Sequence, residues 1–351
     1  MKIALITGSS GLIGSESVQF FSKKKFRVVG IDNNLRKYFF GKEGDTSWVK
    51  KKLIKENNNF KNYNIDIRSY KKLENIFKKF KKKIKIIIHA AAQPSHDWAK
   101  KEPKTDFTIN ANGTLNLLEL TKIYCPKSVF IFLSTNKVYG DNPNKIKFVE
   151  KKLRYDLPTF GKFKNGINEN MSIDNNIHSL FGTSKSAADL MVQEYGKNFK
   201  IKTVCFRAGC VTGPNHSGAK LHGFLSFLVK ETLKRKKYNI IGYKGKQVRD
   251  NIYSLDLIKC FWEFYKKPRY GEIYNIGGGK KSNCSILEAI KFIENKTKIK
   301  IKIKIIKKSR IGDHICYISD NSKFKKHYKK WSQKYSTKKI LENLILKSKN
   351  N

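Results

Sequence analysis

Three glycines, Gly8, Gly11 and Gly14, stand in the segment TGSSGLIG directly after the apolar run Ile3 to Thr7. A strand that turns tightly into a helix there presents free backbone N–H groups and the positive end of a helix dipole, which is chemistry for holding a pyrophosphate. Gly8 is expected to make the turn, Gly11 to let the phosphates approach, and Gly14 to bring helix against strand, with Ser10, Leu12 and Ile13 between them. Eighteen residues past Gly14, Asp32 closes a second apolar run, with Asn33 beside it. A carboxylate there accepts hydrogen bonds from adenosine ribose hydroxyls and repels a 2′-phosphate, so the expected cofactor is NAD rather than NADP. Arg36, close by, does not overturn that expectation.

These residues need a parallel sheet to position them, and the chain supplies its pattern. Ile3 to Thr7, Phe26 to Asp32, Tyr63 to Asp66, Ile84 to His89 and Val129 to Ser134 read as strands, with helical spacing in Ser69 to Phe80 and Thr114 to Tyr124. Strands alternating with helices imply an α/β, doubly wound, parallel-sheet Rossmann domain. A polar insertion, about Asp141 to Asn176, reads as a loop or flap before a helix from about Thr183 to Lys197, and beyond Arg207 the pattern becomes irregular. The expected division is a cofactor domain over 1–206, to which the chain returns at about 250–268. A smaller α+β substrate-binding domain over 207–249 and 269–351 follows, including a helix near Phe224 to Arg235.

The remaining composition narrows the partners. The formal net charge is +46, but the chain has only nine arginines, and its lysines are spread over nearly every segment. That is a solvated surface rather than a nucleic-acid footprint. Lys298 to Ile305 alternates lysine with isoleucine and predicts a strand with one buried and one wet face. Cys125, Cys205, Cys210, Cys260, Cys284 and Cys316 include no CxxC pair, so neither a zinc site nor a disulfide framework is expected. No apolar run approaches the roughly 20 residues of a spanning helix, and no membrane partner and a cytoplasmic location are expected.

The spacing GxxGxxG, Asp66-Ile67-Arg68, His89-Ala90-Ala91-Ala92 and Asn110-x-x-Gly113-Thr114 together resemble the extended short-chain dehydrogenases, the nucleotide-sugar epimerase and dehydratase family, over almost the whole chain. The resemblance implies that Asp66 and Ile67 sit at the adenine, that Ala90, Ala91 and Ala92 line the cofactor, and that Asn110 belongs to a central active-site helix. It also implies a homodimer or higher homo-oligomer through a four-helix contact. Small side chains at a strand's carboxyl end independently leave room for a ligand in the crevice where α/β sheets bind.

Within that family the string STNKVYGD, Ser134 to Asp141, is similar to the STDEVYG of sugar 4,6-dehydratases, but Asn136 and Lys137 replace the acidic pair that eliminates water. Together with GKQVRD and SKSAAD it looks most like the branch that epimerises CDP-linked deoxysugars, CDP-paratose and CDP-tyvelose, at C2. The family's catalytic YxxxK is FGTSK here, with Phe181 at the tyrosine and Lys185 in place. A phenyl ring carries no titratable proton. Either the chain is silenced or another group moves it: Thr135, Lys137, His178, Lys185 or His96. An imidazole, with an ordinary pKa near 6.5, needs the least tuning. His96 is therefore the expected substitute.

By the same resemblance, contacts to a nucleotide diphosphate are expected from Arg207, Gln247, Arg249, Arg310 and the His216/His222 loop, with Asn136 and Lys137 at the sugar. Arg249 and Arg310 are the favoured forks for phosphate oxygens, with a structural ion pair to Asp250 or Asp256 as the alternative for Arg249. Tyr243 and Phe224 are candidates to stack on the base. The expected activity is epimerisation through a transient ketose. A different nucleotide-sugar oxidoreductase, a 4-epimerase, or a non-catalytic NAD- or RNA-binding homologue remain the alternatives.

Overall fold

The computed structural model describes residues 1–213, 223–307 and 312–349. They form two compact units: Met1–Val138, Leu180–Arg207 and Ile258–Tyr274 in the first, and Tyr139–Ser179, Ala208–Leu257 and Asn275–Asn351 in the second.

The first unit is built on a sheet of seven strands: β1 (Ile3–Thr7), β2 (Arg27–Ile31), β3 (Phe60–Tyr63), β4 (Ile84–His89), β5 (Val129–Thr135), β6 (Lys202–Ala208) and β7 (Glu272–Ile276), in the order β7-β6-β5-β4-β1-β2-β3. The pairs β1–β2, β2–β3, β1–β4 and β4–β5 are parallel. This is the doubly wound arrangement expected from the alternation of strands and helices. All five side chains of β1 are buried, as in a sheet covered on both faces. Leu73 and Phe77 of one crossover helix and Leu117 and Leu118 of the next join that core. Strand order reverses between β1 and β4, so the ligand crevice expected of such a sheet lies at their carboxyl ends. The glycine turn and the alanine run follow directly there.

Two boundaries and two strands differ from expectation. The third strand is Phe60–Tyr63, ending where Tyr63–Asp66 was expected to begin, because Ile65 donates its N–H back to Tyr63 and Asp66 folds over Arg68. The helix carrying Phe181 and Lys185 starts earlier, at Leu180. Strands β6 and β7, absent from the expected set, complete the sheet.

The second unit contains a layer of helices Phe224–Leu233, Ile286–Thr297 and Thr337–Lys349 packed with the strand Tyr238–Ile241. Ser285 and Glu288 form a reciprocal capping box that starts the second of these. The polar insertion, placed with the cofactor domain by sequence, belongs to this unit. Ile167 donates to the carbonyl of Ile318 at 2.7 Å, and Asp320 returns a bond to Ile167 at 2.9 Å. The Lys298–Ile305 stretch also differs: its strand is Ile303–Ile306, and Ile303 and Ile305 stay 42% and 48% exposed. Among the described residues it pairs with Tyr238–Ile241 in a two-stranded sheet, and these two isoleucines stay largely uncovered.

Candidate active site

Gly8 has φ +67°, and a Cβ there would lie 2.8–2.9 Å from the backbone of Ala90 and Ala91, so the turn and the alanine run pack backbone to backbone. A Cβ on Gly14 would lie 1.9 Å from the Gly8 carbonyl oxygen. Gly11 is different. Its Cβ would meet only the Gly8 carbonyl at 3.3 Å, so the space over it is open. Gly11 caps the helix Leu12–Lys23 with no side-chain hydrogen bond and no acidic residue in the first turn, so no side chain of that turn competes for the positive end of that helix.

Asp32 closes the same site. Its Oδ2 accepts the N–H of Ser10 and its Oδ1 that of Asn34, both at 2.8 Å. Burial nevertheless raises its pKa above the usual carboxylate value. Two carboxylate oxygens offer about four acceptor positions, so two remain for ribose hydroxyls. Asn33 donates to Asp66 at 3.2 Å, and Arg68 grips Asp66 at 2.7 Å. Ile67 is buried, and a Cβ on Gly113 would strike it at 2.6 Å. Arg36 lays its guanidinium 4.6 Å from the Phe40 ring centroid, and burial lowers its pKa to about 10. The open cradle over Gly11, the bare helix start and the Asp32 carboxylate fit an adenine dinucleotide.

Beyond the alanine run, His89 bridges Thr7 at 2.7 Å and Thr114 at 2.9 Å. Thr114 donates its own proton to the Asn110 carbonyl, so it accepts from His89 Nε2. Burial lowers the imidazole pKa to about 3, and in the neutral ring Nδ1 accepts from Thr7.

Asn110 lies in a π-helical turn, Thr108–Asn112, a feature common at functional sites. Its amide nitrogen donates to Asp106 and Ser184, both at 3.1 Å, and its oxygen accepts the Gln93 N–H at 3.0 Å. Lys185, next to Ser184, is buried. Its Nζ donates to the Leu133 carbonyl at 2.9 Å and stands 4.1 Å from the Phe132 ring centroid, and desolvation lowers its pKa to about 8. Thr135, two residues past Leu133, accepts the Lys137 N–H at 3.2 Å and donates to Asn136 at 3.4 Å. Phe181 is buried, and its ring meets the His96 imidazole edge to face with centroids 5.0 Å apart. Thr135, Lys185, Phe181, His96 and Asn110 thus all lie in the first unit.

Asp106 and Gln93 were not anticipated. Both are buried, Gln93 donates to Asp106 at 2.7 Å, and burial raises the Asp106 pKa to about 6. The available signal was that Asp106 precedes Asn110 by one helical turn.

The expected phosphate contacts divide. Arg207 is a correction: it is buried and grips Asp189 through two nitrogens, at 2.8 and 3.1 Å, so its fork faces a carboxylate inside the first unit. His178 donates through Nε2 to the Ile173 carbonyl, at 2.9 Å, within the second unit. Arg249 pairs with Asp313 at 2.7 Å, not with Asp250 or Asp256, and Gln247 donates to the Ile241 carbonyl at 3.0 Å with its side-chain oxygen buried and unmatched. Tyr243 reaches the Asp313 carbonyl at 3.4 Å, and Phe224 packs on the second unit's core. Arg310, His216 and His222 lie outside the described residues. Among the described residues there is no cluster suited to a metal, and no helix is long and apolar enough to cross a membrane. All six cysteines are free thiols.

Residues 4–277 match the model of the NAD dependent epimerase/dehydratase family. The chain is 30% identical over 349 residues to a CDP-paratose 2-epimerase of Salmonella typhi, covering 96% of each chain. It is 27% identical to a UDP-glucuronate 4-epimerase of Thermodesulfobacterium geofontis, covering 100% of this chain and 97% of that one. Its fold is similar to that of the UDP-glucuronic acid 4-epimerase of Bacillus cereus solved with UDP-glucuronic acid and NAD, with TM-score 0.79, 26% identity and 99% of each chain covered. The match along most of its length and the site just described agree: this chain belongs to the NAD-dependent epimerase/dehydratase family.

Proposed function

We propose that the protein is an NAD-dependent epimerase that inverts C2 of a CDP-linked deoxysugar, interconverting CDP-paratose and CDP-tyvelose. The observation that carries this reading is at the end of β5. Asn136 is buried against the Thr135 hydroxyl, and Lys137 follows, where the related dehydratases are expected to hold an acidic pair. An amide and an ammonium cannot serve as the carboxylic acid and carboxylate that eliminate water. The likeness to a CDP-paratose 2-epimerase along 96% of the chain supports the same substrate.

Gly8, Ser10, Gly11 and the backbone of Leu12 to Gly14 hold the cofactor's pyrophosphate in this reading, and Asp32 with Asn33 holds its adenosine ribose. Ala90 to Ala92 leave room beside it, and Asn110 and Lys185 fix the far end. When bound, NAD supplies the redox step, taking a hydrogen with its electron pair from the sugar carbon and later returning it. Thr135 orients the reacting hydroxyl, and Asn136 and Lys137 contact the sugar. Arg249, paired with Asp313, and Gln247 are the proposed contacts to the nucleotide diphosphate in the second unit, and Arg310, outside the described residues, is proposed for the same role. The reduced thiols suit the cytoplasm.

Incubation of the protein with each CDP-sugar in deuterated water, followed by NMR at the anomeric and C2 protons, tests the reading. Interconversion without solvent deuterium at C2 is expected. Release of NADH in step with substrate consumption would instead make the protein a net oxidoreductase, and inversion at C4 a 4-epimerase.

A further inference from the structure

We propose that the imidazole of His96 moves the sugar's hydroxyl proton in place of the tyrosine that Phe181 replaces, and that the buried cluster of Gln93, Asp106 and Asn110 positions it. This rests on the epimerase reading above and names a group it leaves open.

The first support is placement. The His96 and Phe181 rings are in edge-to-face contact at 5.0 Å, so an imidazole lies against the ring where the family is expected to carry its phenol. The second is how the loop is held. The Gln93 main chain donates to and accepts from the Asn110 side-chain amide, at 3.0 and 3.2 Å. Its side chain donates to the Ser95 carbonyl at 2.8 Å and to Asp106 at 2.7 Å, and accepts the Ser95 N–H at 2.5 Å. The Ser95 hydroxyl then caps the short helix that begins at His96. Gln93, Ser95, Asp106 and Asn110 are each 1% exposed. A solvated loop does not bury four polar side chains, and a satisfied buried network rigidifies what it holds. Here it holds the residue next to Phe181.

Of the other candidates, Lys185 donates to the Leu133 carbonyl, Thr135 is a hydroxyl and no base unaided, and His178 donates through Nε2 to the Ile173 carbonyl. The step assigned to His96 is the proton half of the exchange. One ring nitrogen takes the hydroxyl proton as the carbon–oxygen bond becomes a carbonyl, and the imidazolium gives it back as the alcohol reforms. The imidazole ends as it began.

The test uses the full chain with NAD, histidine-ring NMR, and CDP-, UDP- and dTDP-sugars as probes. In His96→Gln, checked for folding by circular dichroism, kcat is expected to fall at least about 100-fold, the typical effect of losing a positioned acid/base. KM should hold within about threefold, free imidazole should restore part of the rate to His96→Ala, and the ring signal that His96→Gln removes should shift when the reacting sugar binds to the parent. A kcat in His96→Gln within threefold of the parent, or an unmoved ring signal, overturns the assignment. So does an inert parent that Phe181→Tyr alone activates. If CDP-sugars are inert but another sugar turns over, the substrate reading fails and His96 is judged on that sugar. If neither parent nor Phe181→Tyr turns over any of them, both fail.

Discussion

The carboxylate of Asp32 holds the N–H of Ser10 at 2.8 Å, tying the end of β2 to the middle of the glycine turn. The residue expected to bind the adenosine ribose therefore also fixes the loop expected to bind the pyrophosphate. Loss of Asp32 acts on both halves of the cofactor site at once.

Asp32→Ala is accordingly expected to weaken NAD binding by at least about tenfold, the effect of losing one hydrogen bond to a charged group at about 1.5–3 kcal/mol. It should also narrow the preference for NAD over NADP, because the charge that repels a 2′-phosphate is gone. Asp32→Asn, which retains one acceptor, should fall between. Calorimetric titration with both dinucleotides reads all three, and unchanged NAD affinity in Asp32→Ala would remove Asp32 from the site.

His89 gives a prediction about acid. Its folded-state pKa, about 3, lies below the ordinary value near 6.5 because burial disfavours the imidazolium. Its stabilising contribution is thus present above pH 6.5 and lost as pH falls towards 3, at about 1.4 kcal/mol per unit, or about 2–3 kcal/mol by pH 4.5. Asp106 and Asp250 have the opposite sign: raised to about 6, they favour the fold as pH drops below that value. The slope of urea-unfolding stability against pH should therefore be shallower in His89→Gln than in the parent. Equal slopes would mean that His89 is not held neutral.

The parts of the site visible in sequence are those with local spacing. Gly8, Gly11, Gly14 and Asp32 sit at strand ends, where a short motif dictates backbone geometry, and the structure brings them together through Ser10. Arg207 shows what local spacing misses. Its partner Asp189 is on a helix eighteen residues earlier, and only the packing of that helix on β6 brings the two together. The insertion failed for the same reason, since Ile167 pairs with Ile318 and Asp320 across about 150 residues. The isoleucines near 303 show the limit of periodicity: alternation predicts a strand but not whether anything covers its face.

Arg207→Met should then be costly to stability rather than to substrate affinity. It leaves Asp189 buried, still bonded by Ser134, without its cation. Breaking one side of a buried pair costs about 3–5 kcal/mol, and removing both charges costs far less. Arg207→Met is expected to lower the unfolding midpoint sharply, and Arg207→Met with Asp189→Asn to recover most of it. A large rise in KM at unchanged stability would restore the phosphate role.

Lys185, lowered to about 8 by burial, is a cation at neutral pH and loses its proton within the working range. If it acts as a cation that anchors the cofactor, turnover falls as pH rises through about 8, and Lys185→Arg moves that limb upward because guanidinium stays charged. The opposite profile, turnover rising through 8 and abolished in Lys185→Arg, would make Lys185 the base and displace His96.

The family resemblance implies a homodimer or higher homo-oligomer, and a group of exposed apolar side chains in the first unit is where that expectation is tested. Phe107 is 45% exposed and Leu180 48%, and both line one apolar recess with Pro103 and Thr183; Leu115 and Leu190 stand 36% and 47% exposed on the helices that continue from them. A contiguous exposed apolar patch marks an association face, and these side chains are the candidates for one. An exposed-to-charged change such as Leu180→Glu costs an isolated monomer little, because the new carboxylate stays in water. In a dimer the same carboxylate is buried against its own copy without a partner. Light scattering after gel filtration should find the parent at twice the monomer mass and Leu180→Glu with Phe107→Glu at the monomer mass, with the circular dichroism of both alike. A parent that is monomeric at high concentration, or a double variant that remains dimeric, would place the contact elsewhere or remove it.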